Sequence, residues 1–279
     1  MVLVIGMHQV MIKFRIFILI IVLAPFVPVF TVQSQSEDIE FDRGNYARLN
    51  IERVLFHPAL YHDISERRFD AYYTRPYGLR ELDTRSFLLM LPLGKKRFGL
   101  SMTTFGGKLY SETGASCISV LPVVAGLWVT SELTWLSVTI SGYSRMSDFA
   151  VTQGLFYDIS RYELGFRFLN IISGGDAHTR IGRNRAFQLR AGASLSPAFK
   201  IAVGMLQETG YPDLWVLENR LCFGEILGLV TEIGANPSQY AFGIEIKRRA
   251  VQFVYYLKQH PDLGSTSQFG VSYIFTSKR

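Results

Sequence analysis

Gln268-Phe-Gly-Val-Ser-Tyr-Ile-Phe275 alternates large apolar residues (Phe269, Val271, Tyr273, Phe275) with small or polar ones (Gln268, Gly270, Ser272). A period of two places the first set on one face of a strand and the second on the other. An apolar face outward and a polar face inward is the pattern of a lipid-facing strand. A sheet in lipid satisfies its backbone hydrogen bonds only by closing into a barrel.

Similar runs recur upstream. Residues 162–170 set Tyr162, Leu164, Phe166 and Phe168 against Glu163, Gly165 and Arg167, and residues 186–195 set Phe187, Leu189 and Ala191 against Gln188, Arg190 and Gly192. In residues 240–247, Tyr240, Phe242, Ile244 and Ile246 alternate with Ala241, Gly243, Glu245 and Lys247. Further strands are expected at 69–76, 85–92, 97–105, 115–123, 134–143, 151–159, 200–208, 214–223, 226–235 and 250–258, separated by turn-forming clusters. The expected fold is all-β: a transmembrane antiparallel β-barrel of about 14 strands with a short N-terminal plug-like segment. Short connections such as 160–161 and 236–238 are expected on the periplasmic side, and longer ones such as 173–185 and 260–267 outside. A soluble β-sandwich, propeller or secreted barrel also alternates, but it offers no water or partners to Glu163, Arg167, Arg190, Glu218, Arg220, Glu232 and Glu245.

The N-terminal part reads as an export signal. Lys13 and Arg15 precede an apolar run over 16–30 that holds Pro25 and Pro28, and Val32-Gln33-Ser34 fits a cleavage site. A membrane anchor is the alternative, but the run falls short of the roughly 20 residues that span a bilayer. Residues 1–10 read as an upstream extension or a misassigned start, with Met7 and Met11 as other beginnings. The expected domains are a signal peptide over 1–34, a plug-like segment over 35–66 and the barrel over 67–279. Removing 1–34 takes away Lys13 and Arg15 and no acid, which lowers the net charge from +6 to +4. Basic residues gather at Lys95-Lys96-Arg97, at 180–185 and at Lys247-Arg248-Arg249, a distribution suited to anionic headgroups. Nucleic-acid binding would need a continuous basic face.

The lumen charges are the best functional lead. Glu163 and Arg167 with Arg190, and Glu218 and Arg220 with Glu232 and Glu245, are expected to form a connected ion-pair network that stiffens the barrel or lines a solute path. Cys117 and Cys222 lack metal-type spacing and read as two separate small strand residues. His57, His62, His178 and His260 fit no nucleophile, metal or general-base pattern, and no Gly-x-Ser-x-Gly elbow occurs. No enzyme activity, cofactor or metal is therefore expected. Tyr72, Tyr73, Trp128, Trp135, Trp215, Tyr255 and Tyr256 lie where interfacial girdles would be.

Four stretches resemble one family. Tyr256-Leu-Lys-Gln-His-Pro-Asp-Leu-Gly264 leads through a turn into the last strand, and Leu164-Gly165-Phe166 is followed by Asn170. Leu189-Arg190-Ala191-Gly192 precedes Ser196-Pro197, and Phe56-His57-Pro58-Ala59-Leu60 stands ahead of Tyr72-Tyr73. Over residues 56–275 the chain resembles the PorV/PorQ-like outer-membrane proteins. His57, Pro58, Ala59 and Leu60 match their Asn-Pro-Ala-Gly-Leu signature, with His57 for the asparagine and without the glycine. The resemblance implies a barrel of the fatty-acid-transporter type in the bacterial outer membrane, where relatives escort or release cargo of the type IX secretion system. The expected function is a non-enzymatic component of protein secretion or surface attachment. The alternatives are a channel for a hydrophobic or small solute, with His57, Glu163, Arg167 and Arg190 on the route, and a purely structural barrel. The expected partners are outer-membrane lipid, secretion-system proteins or exported cargo, or a hydrophobic solute.

Overall fold

Alternation becomes a wall when every strand finds two neighbours. The computed structural model describes residues 56–143, 145–174, 184–224, 226–236 and 238–275. The sequence-based signal peptide, its upstream extension and most of the plug-like segment lie outside the described residues. The strands are β1 (Arg67–Arg75), β2 (Thr84–Leu93), β3 (Lys96–Gly106), β4 (Tyr110–Val124), β5 (Leu127–Ile140), β6 (Met146–Ile159) and β7 (Tyr162–Gly174). They continue as β8 (Ala186–Ser196), β9 (Phe199–Glu208), β10 (Leu214–Phe223), β11 (Leu227–Ala235), β12 (Gln239–Arg248), β13 (Val251–His260) and β14 (Gly264–Phe275). Each pairs antiparallel with its sequence neighbours, and β1 pairs with β14 from Arg67↔Phe275 to Arg75↔Ser267, giving a closed barrel.

The two faces differ as the alternation requires. On β14, Phe269 is 48% exposed while Gln268 is 2% exposed. Phe87, Leu100, Leu133, Phe168, Leu221, Phe242 and Phe253 also stand outward, covering the barrel with apolar surface. Inside lie Asp70, Glu112, Glu132, Arg167, Arg190 and Glu232. A polar interior within an apolar wall is the inverse of a soluble barrel, and it places the chain in a bilayer as an outer-membrane β-barrel.

The connections leaving the even-numbered strands β2 to β12 lie at the end that carries the start of β1 and the end of β14, and most are two residues long. The connections leaving the odd-numbered strands lie at the other end and include the longer ones, at 76–83 and 175–185. This asymmetry assigns the first end to the periplasm and the second to the exterior. It also corrects two details. The 236–238 turn shares the exterior end with 175–185, and the expected loop over 260–267 narrows to 261–263 because Ser265, Thr266 and Ser267 pair with β13. Their polarity suits a wet strand end as well as a loop.

Strand β5 begins seven residues earlier than the periodicity predicts. The apolar run from Val120 to Val129 conceals a turn that Gly126 makes alone, with φ of +78°. A side chain there would meet both the left-handed backbone and the carbonyl of Asp158. The aromatic girdle is also thinner than expected. Tyr73, Trp135, Trp215 and Tyr255 face outward, but Tyr72 packs over Gly270, Trp128 lies tilted against His62 and Tyr256 is buried over Gly243, all within the lumen. Cys117 on β4 and Cys222 on β10 are both free.

Phe242 sits midway along β12, between Thr231 and Leu257, with its ring toward lipid. Phe242→Arg is expected to destabilise the barrel by about 2–4 kcal/mol. Urea titration of the heat-modifiable folded band in vesicles measures this, and an unchanged midpoint would contradict a lipid-facing β12.

Candidate functional site

The site begins where the chain turns back before β1. Pro58–Tyr61 forms one 3₁₀ turn, entered through His57 in extended conformation. The Ala59 N–H donates to His57 Nδ1 at 3.2 Å, the capping interaction of a short polar residue at a helix start. Ala59 is fully buried against Met90, Ile118, Val120 and Phe156, which point inward from β2, β4 and β6. Residues 56–62 therefore occupy the lumen beside β2 to β8.

Glycines make the space. A Cβ on Gly154 would lie 2.5 Å from Thr130 Oγ1 and 3.0 Å from His57 Nε2, and one on Gly165 would lie 3.0 Å from the His57 ring. His57 Nε2 donates to the Phe166 carbonyl at 3.2 Å, so with Nδ1 accepting the ring is neutral. Burial, reinforced by the nearby Arg167 charge, pushes its pKa down to about 3. His62 holds the other end of the turn, with Nδ1 2.7 Å from the Ala59 carbonyl and Nε2 3.1 Å from the Asp158 carboxylate.

Arg167 anchors the start of the segment. Its Nη2 donates to Glu132 Oε2 at 3.1 Å, and its Nη1 donates to Gln188 Oε1 at 3.1 Å and to the Phe56 carbonyl at 3.3 Å. Gln188 Nε2 donates to the same carbonyl at 2.8 Å, and the guanidinium lies 5.6 Å from the Phe56 ring centre. Thr134 donates to Glu132 at 3.1 Å, and Ser116 lies 2.9 Å from Thr134, so one polar chain crosses from β4 to β8 and ends on the segment. With Arg167 2% and Glu132 3% exposed, this pair sits deep in the lumen.

The remaining charges form further groups. Arg190 donates twice to Glu163, which leans over Gly192. Arg220 donates to Glu245 at 3.0 Å and lies 3.8 Å from Glu218, while the Tyr256 hydroxyl donates to Glu245 at 2.8 Å. Arg68 donates to Asp70 at 2.7 Å and to Ser272 at 3.1 Å, and Tyr61 donates to Asp70 at 3.3 Å. All seven charged residues singled out from the sequence thus face the lumen. Arg167 takes Glu132 as its ionic partner, and Glu232 stands directly across from Glu218. Glu132, Asp70 and Asp158 were missed, and Gln188 was placed on the polar face without a role. Glu132 lies within Val129-Thr-Ser-Glu-Leu-Thr134, whose alternation was there to be read had β5 been placed correctly.

Between the docked segment and β8 to β13 a cavity of about 590 Å³ remains, reaching Ser160 and Arg161 at the periplasmic end. Acidic and basic side chains both line it, with Tyr61, Tyr72 and Tyr256 among them. Among the described residues no group of three or more His, Cys, Asp or Glu is placed to hold a metal ion.

No family model matches the chain, and no curated protein matches it in sequence. Solved porin structures are similar to it. The KdgM porin is 8% identical at a TM-score of 0.47, covering 75% of this chain and 99% of that one. The KdgM porin in complex with disordered oligogalacturonate is 10% identical at a TM-score of 0.46, with the same coverage. An engineered variant of the Rh. blastica porin is 12% identical at a TM-score of 0.42, covering 75% and 98%.

Two outcomes are expected. Glu132→Ala leaves Arg167 buried without its carboxylate and should cost about 3–5 kcal/mol in unfolding free energy. An unchanged urea midpoint would show that water replaces the carboxylate freely. Docking should also depend on pH through His57. The released imidazole has the ordinary pKa near 6.5 and the docked one a pKa near 3, so docking is at full strength above 6.5 and weakens as pH falls through that window. Protease cleavage of the segment against pH checks this, and His57→Asn, which keeps the acceptor for Ala59, should flatten the profile.

Proposed function

We propose that this chain is a non-enzymatic outer-membrane passage whose lumen is narrowed by its own N-terminal segment and opens when that segment moves. The cavity beside the docked residues carries this reading. A barrel of fewer strands fills its bore with side chains, and one of 16–18 leaves an open channel. Here the bore is partly filled by residues 56–62, which hold the wall through side-chain and carbonyl hydrogen bonds without joining the sheet. Undocking costs no strand pairing. On this reading residues 35–66 act as the plug, the solute path runs past His57, Glu163, Arg167 and Arg190, and residues 1–34 are removed on export.

A second reading rests on the resemblance to PorV/PorQ-like proteins in Phe56-His57-Pro58-Ala59-Leu60 and in Tyr256 through Phe275. It makes the barrel a secretion or surface-attachment component of the type IX kind, presenting its loops and lumen mouth to secretion-system proteins or exported cargo. The two differ in what deletion removes: solute uptake in the first case, surface proteins with normal uptake in the second.

Planar-bilayer conductance tests the passage. The wild-type barrel should show small or rare openings. Gly154→Val, which drives a side chain into Thr130, Arg167 and His57, should give larger or more frequent ones, as should deletion of residues 56–62. Conductance absent from all three forms would remove the passage reading.

A further inference from the structure

We infer that the periplasmic mouth of the lumen is a binding site for a small anion, taken through a carboxylate or phosphate group by Arg161, Lys200 and Arg220. The inference deepens the passage reading by naming the charge class that the mouth accepts.

Strand register supplies the first observation. Lys200 on β9 stands directly across from Arg220 on β10, on the lumen face. Like charges directly opposed on one face of an antiparallel pair destabilise it. Ser194 of β8 is the other cross-strand neighbour of Lys200, and its N–H donates to the carbonyl of Arg161 at 2.7 Å. Three cations therefore fall on neighbouring positions around one arc of the barrel, and all three line the same cavity.

The distribution of acids supplies the second. Glu163 is engaged by Arg190, Asp70 by Arg68, Asp158 by His62, and Glu218 and Glu245 by Arg220. The side chains of Arg161 and Lys200 have neither an ion pair nor a hydrogen bond among the described residues. Glu163, Asp70 and Asp158 are held by groups other than these three, Glu218 and Glu245 share Arg220, and Asp63 also lines the cavity, so the cations left without a carboxylate partner are Arg161 and Lys200. Ala202 and Glu218 lie beside them in the lining, and the hydroxyl residues Ser160 and Ser194 add neutral donors. An anion seated there gives Arg161 and Lys200 the partner that the wall does not, with Arg220 shared between it and its glutamates, and charge-assisted hydrogen bonds to it are the strong kind.

Titration calorimetry on the detergent-solubilised full barrel at constant ionic strength tests this with inorganic phosphate, acetate and short-chain phosphatidylglycerol below its micellar concentration. Saturable binding of phosphate or acetate is expected, weakened about tenfold by Lys200→Gln and by Arg161→Gln. At one phosphate concentration the urea midpoint of the wild type should rise by more than that of the Lys200→Gln variant, since a ligand bound only to the folded state stabilises it in proportion to its occupancy. Binding of free phosphate or acetate identifies a solute anion, and binding of the lipid alone identifies a headgroup of the inner leaflet; either supports an anion site. No binding of any probe, or binding that survives both substitutions, overturns it. Conductance without anion binding would sink this inference and keep the passage, and binding without conductance would do the reverse.

Discussion

Hydrocarbon offers no partner to a backbone N–H or carbonyl, so the sheet exists only if its first strand finds its last. In this chain the closure of β1 on β14 decides the rest. Phe69, Phe269 and Tyr273 cover the seam outside, while Asp70 and Ser272, both fully buried, meet Arg68 inside. Once the wall closes, every inward side chain shares a small space with its opposite numbers. A charge there needs a partner more than it would at an open surface. This is why Asp70, Glu132, Glu163 and Glu245 each face an arginine.

Much of the wall was legible because its signal has a period of two and repeats. Every expected strand corresponds to one in the barrel, and the faces of 162–168, 186–195, 240–247 and 268–275 lie as the alternation directs. The signal failed where chemistry did not change at a structural boundary. Val120 to Val129 is apolar throughout, so only the left-handed backbone of Gly126 marks the turn between β4 and β5. Near Asn170 the register between β6 and β7 shifts across Val151 and Gln153, and Asn170 itself takes a φ of +54°. An alternation that slips by one residue reads as its end. Aromatic residues failed differently: a ring near a strand end suits a membrane interface and a lumen floor alike, and Tyr72, Trp128 and Tyr256 took the floor.

Site residues were legible as members of a face but not as pairs. Parity put Arg167 inward. Which acid it meets depends on the slope of the strands around the barrel, and that slope brings Glu132 to it across the intervening β6. Backbone atoms are less visible still. The carbonyl of Phe56 accepts from both Arg167 and Gln188, and nothing in the identity of a phenylalanine announces that. The stretch from Phe56 to Leu60 drew notice through resemblance, and its physical content is the cap that His57 gives Ala59 and the burial of Ala59 in the lumen.

A buried arginine–glutamate pair seldom repays its desolvation by itself. Arg167 and Glu132 are tolerable because Thr134, Gln188 and the Phe56 carbonyl supply further hydrogen bonds. Two of these partners belong to the wall and one to the segment. In the opening that the passage proposal requires, the pair would keep its wall partners, and the donors that held the carbonyl would turn to water entering the lumen. The net worth of exchanging such hydrogen bonds for water is small, about 0.5–1.5 kcal/mol each and more where a charge takes part. Most of the holding force therefore comes from burying Ala59 and its neighbours, at full strength only while His57 stays neutral, and no sheet pairing reinforces it. In the proposed passage such a segment exchanges between a docked and a released state. A ligand shifts the balance between them by no more than its difference in affinity for the two.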